Sequence, residues 1–148
     1  ELYDDGNDET KKDVGDYLDC VVDNSAGTVT FYVYFSEDMK TTDYDADYNY
    51  VGADFAIYYD HDKDPLVNGS AYEVTNIDDN IVTIVVDVTK LVDGEDAGGG
   101  KKQYKDKADF EIKLVSKPRY LTDKAGNKPD SEEFGAIDVE DVTFDCTK

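Results

Sequence analysis

The chain has 148 residues, enough for one domain with a proper core and too few for two well-filled ones. It carries 36 acidic against 15 basic residues, a formal net charge of -21, which sets it against nucleic-acid phosphates and anionic membrane surfaces. Hydrophobic residues make up 39% and fall in short runs, so the chain reads as folded, and no run approaches the roughly 18 apolar residues that span a bilayer.

In chain order, residues 1–16 are polar and acidic, an expected lead-in or linker to a domain over 17–148. The chain opens on Glu1 without a leader-like apolar stretch, as expected of a mature or excised segment. Two β-rich runs then flank Asp23-Asn24-Ser25-Ala26-Gly27, which predicts a hairpin. In the second run Val29, Phe31, Val33 and Phe35 alternate with Thr30, Tyr32 and Tyr34, a strict period of two. Ser36–Lys40 offers at most one helical turn, with Ser36 as its cap.

Residues 40–52 read as an Asp/Tyr-rich loop, Ala53–Tyr59 as a strand, and residues 60–70 as a second acidic loop. Ser70–Ile77 and Ile81–Thr89 flank Asp78-Asp79-Asn80 as another hairpin. Gly94–Lys107 is rich in glycine and lysine and reads as a flexible surface loop. Ala108–Lys117 is the next strand, and Ala136–Cys146 the last. Its apolar positions change from odd (Ile137, Val139) to even (Val142, Phe144), so a bulge is expected near Glu140-Asp141. About seven strands with turn punctuation predict an all-β, antiparallel, immunoglobulin-like sandwich.

Two phrases, TVTFYVYFSEDM at Thr28–Met39 and YLTDKAGN at Tyr120–Asn127, resemble the bacterial immunoglobulin-like repeats of S-layer proteins, adhesins and large secreted enzymes. The resemblance implies a spacer, stalk unit or lattice subunit, often stiffened by calcium. The long 90–107 segment, the two cysteines and the acidity depart from that pattern.

Aspartate outnumbers glutamate 27 to 9, and aspartate suits both turns and hard-cation coordination. Asp60, Asp62 and Asp64 have the alternating spacing that can turn oxygens toward one cation, although Pro65 and Ala71 exclude an EF-hand. Asp43, Asp45 and Asp47 form a second such set before the same strand. Calcium is the expected ion, against the plainer reading of solvated acidic loops. Salt adaptation would also explain the acidity, but 14 lysines beside the single arginine, Arg119, run against it.

Cys20 and Cys146 lie on the apolar faces of the first and last predicted strands, where a disulfide would close nearly the whole chain. His61 is the only histidine and reads as a surface residue, and no Ser-His-Asp arrangement is visible. Asn68-Gly69-Ser70 fits a glycosylation sequon on a loop. Tyr44, Tyr48, Tyr50, Tyr58 and Tyr59 cluster in sequence beside the acidic loops and would suit sugar stacking, though β-strands favour tyrosine anyway.

The sequence thus predicts a non-catalytic, extracellular or cell-surface structural or adhesive module, calcium-stabilised. Its expected partners are neighbouring modules of the same polypeptide or other surface proteins, with no nucleic acid and no membrane insertion. A carbohydrate-binding accessory module and a protein-docking module of a secreted complex are the alternatives.

Overall fold

Alternating apolar residues give the chain two sheets that each bury one face. The computed structural model describes residues 16–41 and 48–148. One sheet has the order β1 (Asp16–Asp23), β2 (Thr28–Tyr34), β6 (Ile81–Asp87), β5 (Tyr72–Asp78). The other runs β10 (Ala136–Thr147), β8 (Lys101–Leu114), β4 (Phe55–Tyr59), with β7 (Glu95–Gly98) paired to the start of β8. A two-stranded ribbon joins β3 (Met39–Thr41) to β9 (Leu121–Asp123). Every ladder is antiparallel. The helical pieces are α1 (Tyr48–Gly52), α2 (Ser131–Phe134) and a 3-10 turn at Val88–Lys90.

The molecule is an all-β sandwich, and its core lies between the inner faces. Val29, Phe31 and Val33 of β2 and Val82, Ile84 and Val86 of β6 face Ile57, Phe110, Ile112 and Phe144 of the opposite sheet, all buried. The sheets interlock where Phe31 meets Phe110 edge-on at 5.1 Å between ring centroids. Each such side chain contributes roughly 1.5–3 kcal/mol on burial. At one end of the core Phe134 of α2 packs on Phe35 and Phe55, so this short helix serves as a plug.

Both expected hairpins are present, and β10 carries the expected bulge. Its register against β8 shifts between Val139 and Val142, and Asp141 has a φ of 57°. The seven expected strands are those of the two main sheets, and β3, β7 and β9 are additions.

Three local expectations are corrected. Residues 94–107 are not a free loop: Gly98, Gly99 and Gly100, all at positive φ, reverse the chain between β7 and β8. The lysines there do not simply repel one another, because an acidic chain supplies partners. Lys102 lies opposite Asp96 and Lys105 opposite Asp145. Ser36–Lys40 forms no helical turn, since Met39 enters β3 and donates its amide to Asp79 O. The 40–52 segment is not all loop, because it ends in α1.

Candidate functional site

The acidic loop after β4 begins with a type I′ turn. Asp60 and His61 have φ values of 51° and 61°, and the Asp62 amide donates to Tyr59 O at 3.0 Å. The Asp60 amide donates to Asp109 O at 2.7 Å, fastening the turn to β8. Asp60, Asp62 and Asp64 are all exposed, and Asp62 caps the Lys63 amide instead of facing the other two. Asp43, Asp45 and Asp47 lie outside the described residues. Among the described residues, no group of three or more histidine, cysteine, aspartate or glutamate side chains converges as a ready ligand set.

The turn instead delivers His61 to the outer face of the β10-β8-β4 sheet, where alternation turns every second residue of β8 and β10 outward. His61, Asp109, Glu111, Asp138 and Glu140 line a depression of about 260 Å³ floored by Phe110. His61 Nε2 lies 3.0 Å from Asp109 Oδ2, and Asp109 Oδ1 accepts the Asp141 amide at 2.9 Å. The Asp141 amide first, then His61, holds the Asp109 carboxyl below the usual range. That contribution to stability is therefore present above the unfolded carboxylate pKa and lost as pH falls through the lowered value.

Glu111 and Asp138 sit directly opposite each other across the β8–β10 ladder. Like charges at facing positions destabilise a sheet. Lys113 relieves one side, with its Nζ 3.7 Å from Glu111 Oε1 and 5.8 Å above the Tyr58 ring. Among the described residues Asp138 has no ion-pair partner, and Glu140 adds a further negative charge to the depression.

A second acidic depression, about 420 Å³, is lined by Ser36, Glu37, Asp38, Asp123, Lys124 and Ala125. Here the two phrases of the sequence resemblance meet. Met39 pairs with Asp123 in the β3–β9 ribbon, and Glu37 and Asp123 line the depression together. The Asp123 carboxylate also accepts the Ala125 and Asn127 amides, each at 2.9 Å. The Asn127 amide is the largest cause holding its carboxyl low. Asp123 therefore organises the D-K-A-G-N turn from within.

The chain matches no family model, no curated protein and no solved structure.

The remaining sequence candidates separate in space. Cys20 and Cys146 are free thiols. Cys20 lies opposite Phe31, whereas Cys146 Sγ lies 2.9 Å from where a Cβ on Gly27 would be, at the β1–β2 turn. The four residues from Gly27 to Phe31 span roughly 13 Å of strand, beyond the roughly 7 Å between Cα atoms that a disulfide bridges. Burial pushes the Cys20 thiol up to about 11, so it is a poor nucleophile. The tyrosine cluster divides as well. Tyr59 points inward and donates its hydroxyl to Asp106, Tyr58 points outward, and Tyr50 stacks on Tyr120 at 5.1 Å. Tyr44 lies outside the described residues. Asn68 of the sequon is half-buried, with its amide against Gly52, where an added Cβ would lie 2.1 Å from Oδ1.

One functional-looking residue escaped the sequence reading. Asp54 is 1% exposed, and its carboxylate accepts the amides of Arg119, Tyr120 and Leu121 at 2.7–2.8 Å. Its own carbonyl accepts the Val115 amide at 2.8 Å. Tyr72 lies beside it, its hydroxyl shared between Gly52 O and Phe55 O and pushed up to about 12 by burial and then by the Asp54 charge. This is a structural anchor for the loop between β8 and β9.

Proposed function

We propose that this chain is a non-catalytic, immunoglobulin-like structural or adhesive module of an extracellular or surface protein, stabilised by calcium. The observation that carries the reading is the order of the sheets. With β3, β7 and β9 set aside, the orders β1-β2-β6-β5 and β10-β8-β4 are those expected of the four-strand and three-strand sheets of an immunoglobulin constant-type sandwich, which supports the reading. The meeting of the FSE and LTDKAGN phrases in the β3–β9 ribbon, with Glu37 and Asp123 lining one depression, supports kinship with bacterial repeats of that type.

Calcium fits the outer face of the β10-β8-β4 sheet better than the Asp60–Asp64 spacing. Glu111 and Asp138 face each other with Glu140 and Asp109 alongside, a carboxylate-rich cluster suited to a hard, partly hydrated ion. Without a converged ligand set the affinity belongs at the weak end for extracellular modules, about 0.1–1 mM. Neighbouring modules and other surface proteins are the proposed partners.

Location is tested by treating intact cells of the source organism with a protease. Loss of the module while cytoplasmic markers survive is the expected result. Full protection on intact cells, with digestion only after lysis, would contradict the surface assignment.

A further inference from the structure

Among the described residues, the first and last strands of the sandwich run in the same direction, and each is anchored lengthwise. β1 starts opposite Tyr34, at the end of the molecule where Phe35 exchanges hydrogen bonds with Asn80. It finishes at Asp23, opposite Thr28. β10 finishes at this second end: the Asp145 amide donates to Asn24 Oδ1 at 2.9 Å, and Cys146 lies beside Gly27. Beyond it, Lys148 and Lys102 exchange backbone bonds at 2.8 Å. The fold is thus entered at one end of its long axis and left at the other.

This arrangement fixes how tension would be carried. A pull on the two ends draws β1 outward past β2 and β10 outward past β8. Both pairs are antiparallel, with hydrogen bonds perpendicular to the strands. The bonds of each ladder then resist sliding together, whereas a sideways pull opens a ladder one bond at a time. Side chains add to the resistance, since Cys20 and Val22 of β1 and Val142, Phe144 and Cys146 of β10 are keyed into the core. β1 spans 8 residues with a register irregularity between Tyr17 and Asp19, and β10 spans 12, so the β1–β2 ladder yields first.

We infer that the module is built to transmit tension end to end, holding through shear of the β1–β2 and β10–β8 ladders. The inference rests on the series-module reading for its biological setting, while the mechanical anisotropy follows from topology alone.

Single-molecule pulling tests it on the full chain. In one geometry the chain is held between marker modules fused before β1 and after β10. In the other, the second attachment moves to Asp78→Cys, at the same end of the molecule as the start of β1, so that β1 is peeled sideways. Asp78 is exposed at a strand end. Forced unfolding reports the unfolding rate along the pulled direction, so the end-to-end force should exceed the peeling force by at least about twofold. Ser116→Cys, exposed at the same end on the other side of the sandwich, provides a second peeling handle. Equal forces in the two geometries, or a stronger peeling geometry, would overturn the inference and leave the surface assignment standing. A cytoplasmic location would remove the assignment and leave the anisotropy.

Discussion

Asp54→Ala is expected to cost about 4 kcal/mol, because it removes the acceptor of three backbone N–H donors at once, one of them buried and two part-buried. For a domain of this size that lowers the Tm by about 10–15 °C. Arg119, Tyr120 and Leu121 all donate to this one carboxylate, and Leu121 and Thr122 behind it are buried. Asp54→Asn keeps one acceptor oxygen but aims an NH2 group at the donors, so about half the loss is expected. Urea unfolding of the three proteins measures this directly. A change below about 1 kcal/mol for the alanine variant would mean that water replaces the carboxylate, and the anchor account would fail.

Phe110→Ala carries a second large expected cost, about 3–5 kcal/mol. Phe110 is 1% exposed and sits between two edge-on aromatic partners, Phe31 at 5.1 Å and Tyr59 at 5.3 Å. Those partners belong to both sheets, so neither can close over the space without separating the sandwich from its register. Phe110→Leu retains most of the volume and should cost about 1–2 kcal/mol. Equal losses for the two variants in chemical denaturation would show that the site collapses freely and is not the junction between the sheets.

The contrast between these two residues shows what the sequence carries. Phe110 was legible: it belongs to a period-two stripe with Ile112 and Leu114, and alternation alone assigns it to the core. The same rule found β2, β6 and the β10 bulge. Asp54 was not legible, since its partners lie 65 to 67 positions away and a lone aspartate at the start of the expected Ala53–Tyr59 strand carries no signal of them. The start of β8 was missed for a related reason. Glycines and lysines read as loop until Asp96 and Asp145 are known to lie across from them. The candidate cation face had a visible half, the outward Asp109, Glu111, Asp138 and Glu140. What makes it a face is the apposition of Glu111 and Asp138, and pairing register between strands 27 residues apart is not written in either strand. The Asp60–Asp64 spacing looked stronger in one dimension than it is in three, because the type I′ turn sends His61 to Asp109 and leaves the carboxylates in solvent.

Calcium-dependent stabilisation is the claim that joins the fold, the charge and the proposed role, and thermal melting with one double variant tests it. At about 10 mM calcium, ten to a hundred times the expected dissociation constant, mass action adds about 1.4–2.7 kcal/mol. The Tm should rise by about 4–8 °C relative to EDTA, and magnesium should do less because it dehydrates reluctantly. Sodium chloride at matched ionic strength controls for simple screening. Glu111→Gln combined with Asp138→Asn should raise the Tm in EDTA, by relieving the facing charges, and should remove most of the calcium response. Asp60→Asn, Asp62→Asn and Asp64→Asn together should leave that response largely intact. A calcium shift that sodium reproduces, or that survives the Glu111/Asp138 double variant unchanged, would contradict the account.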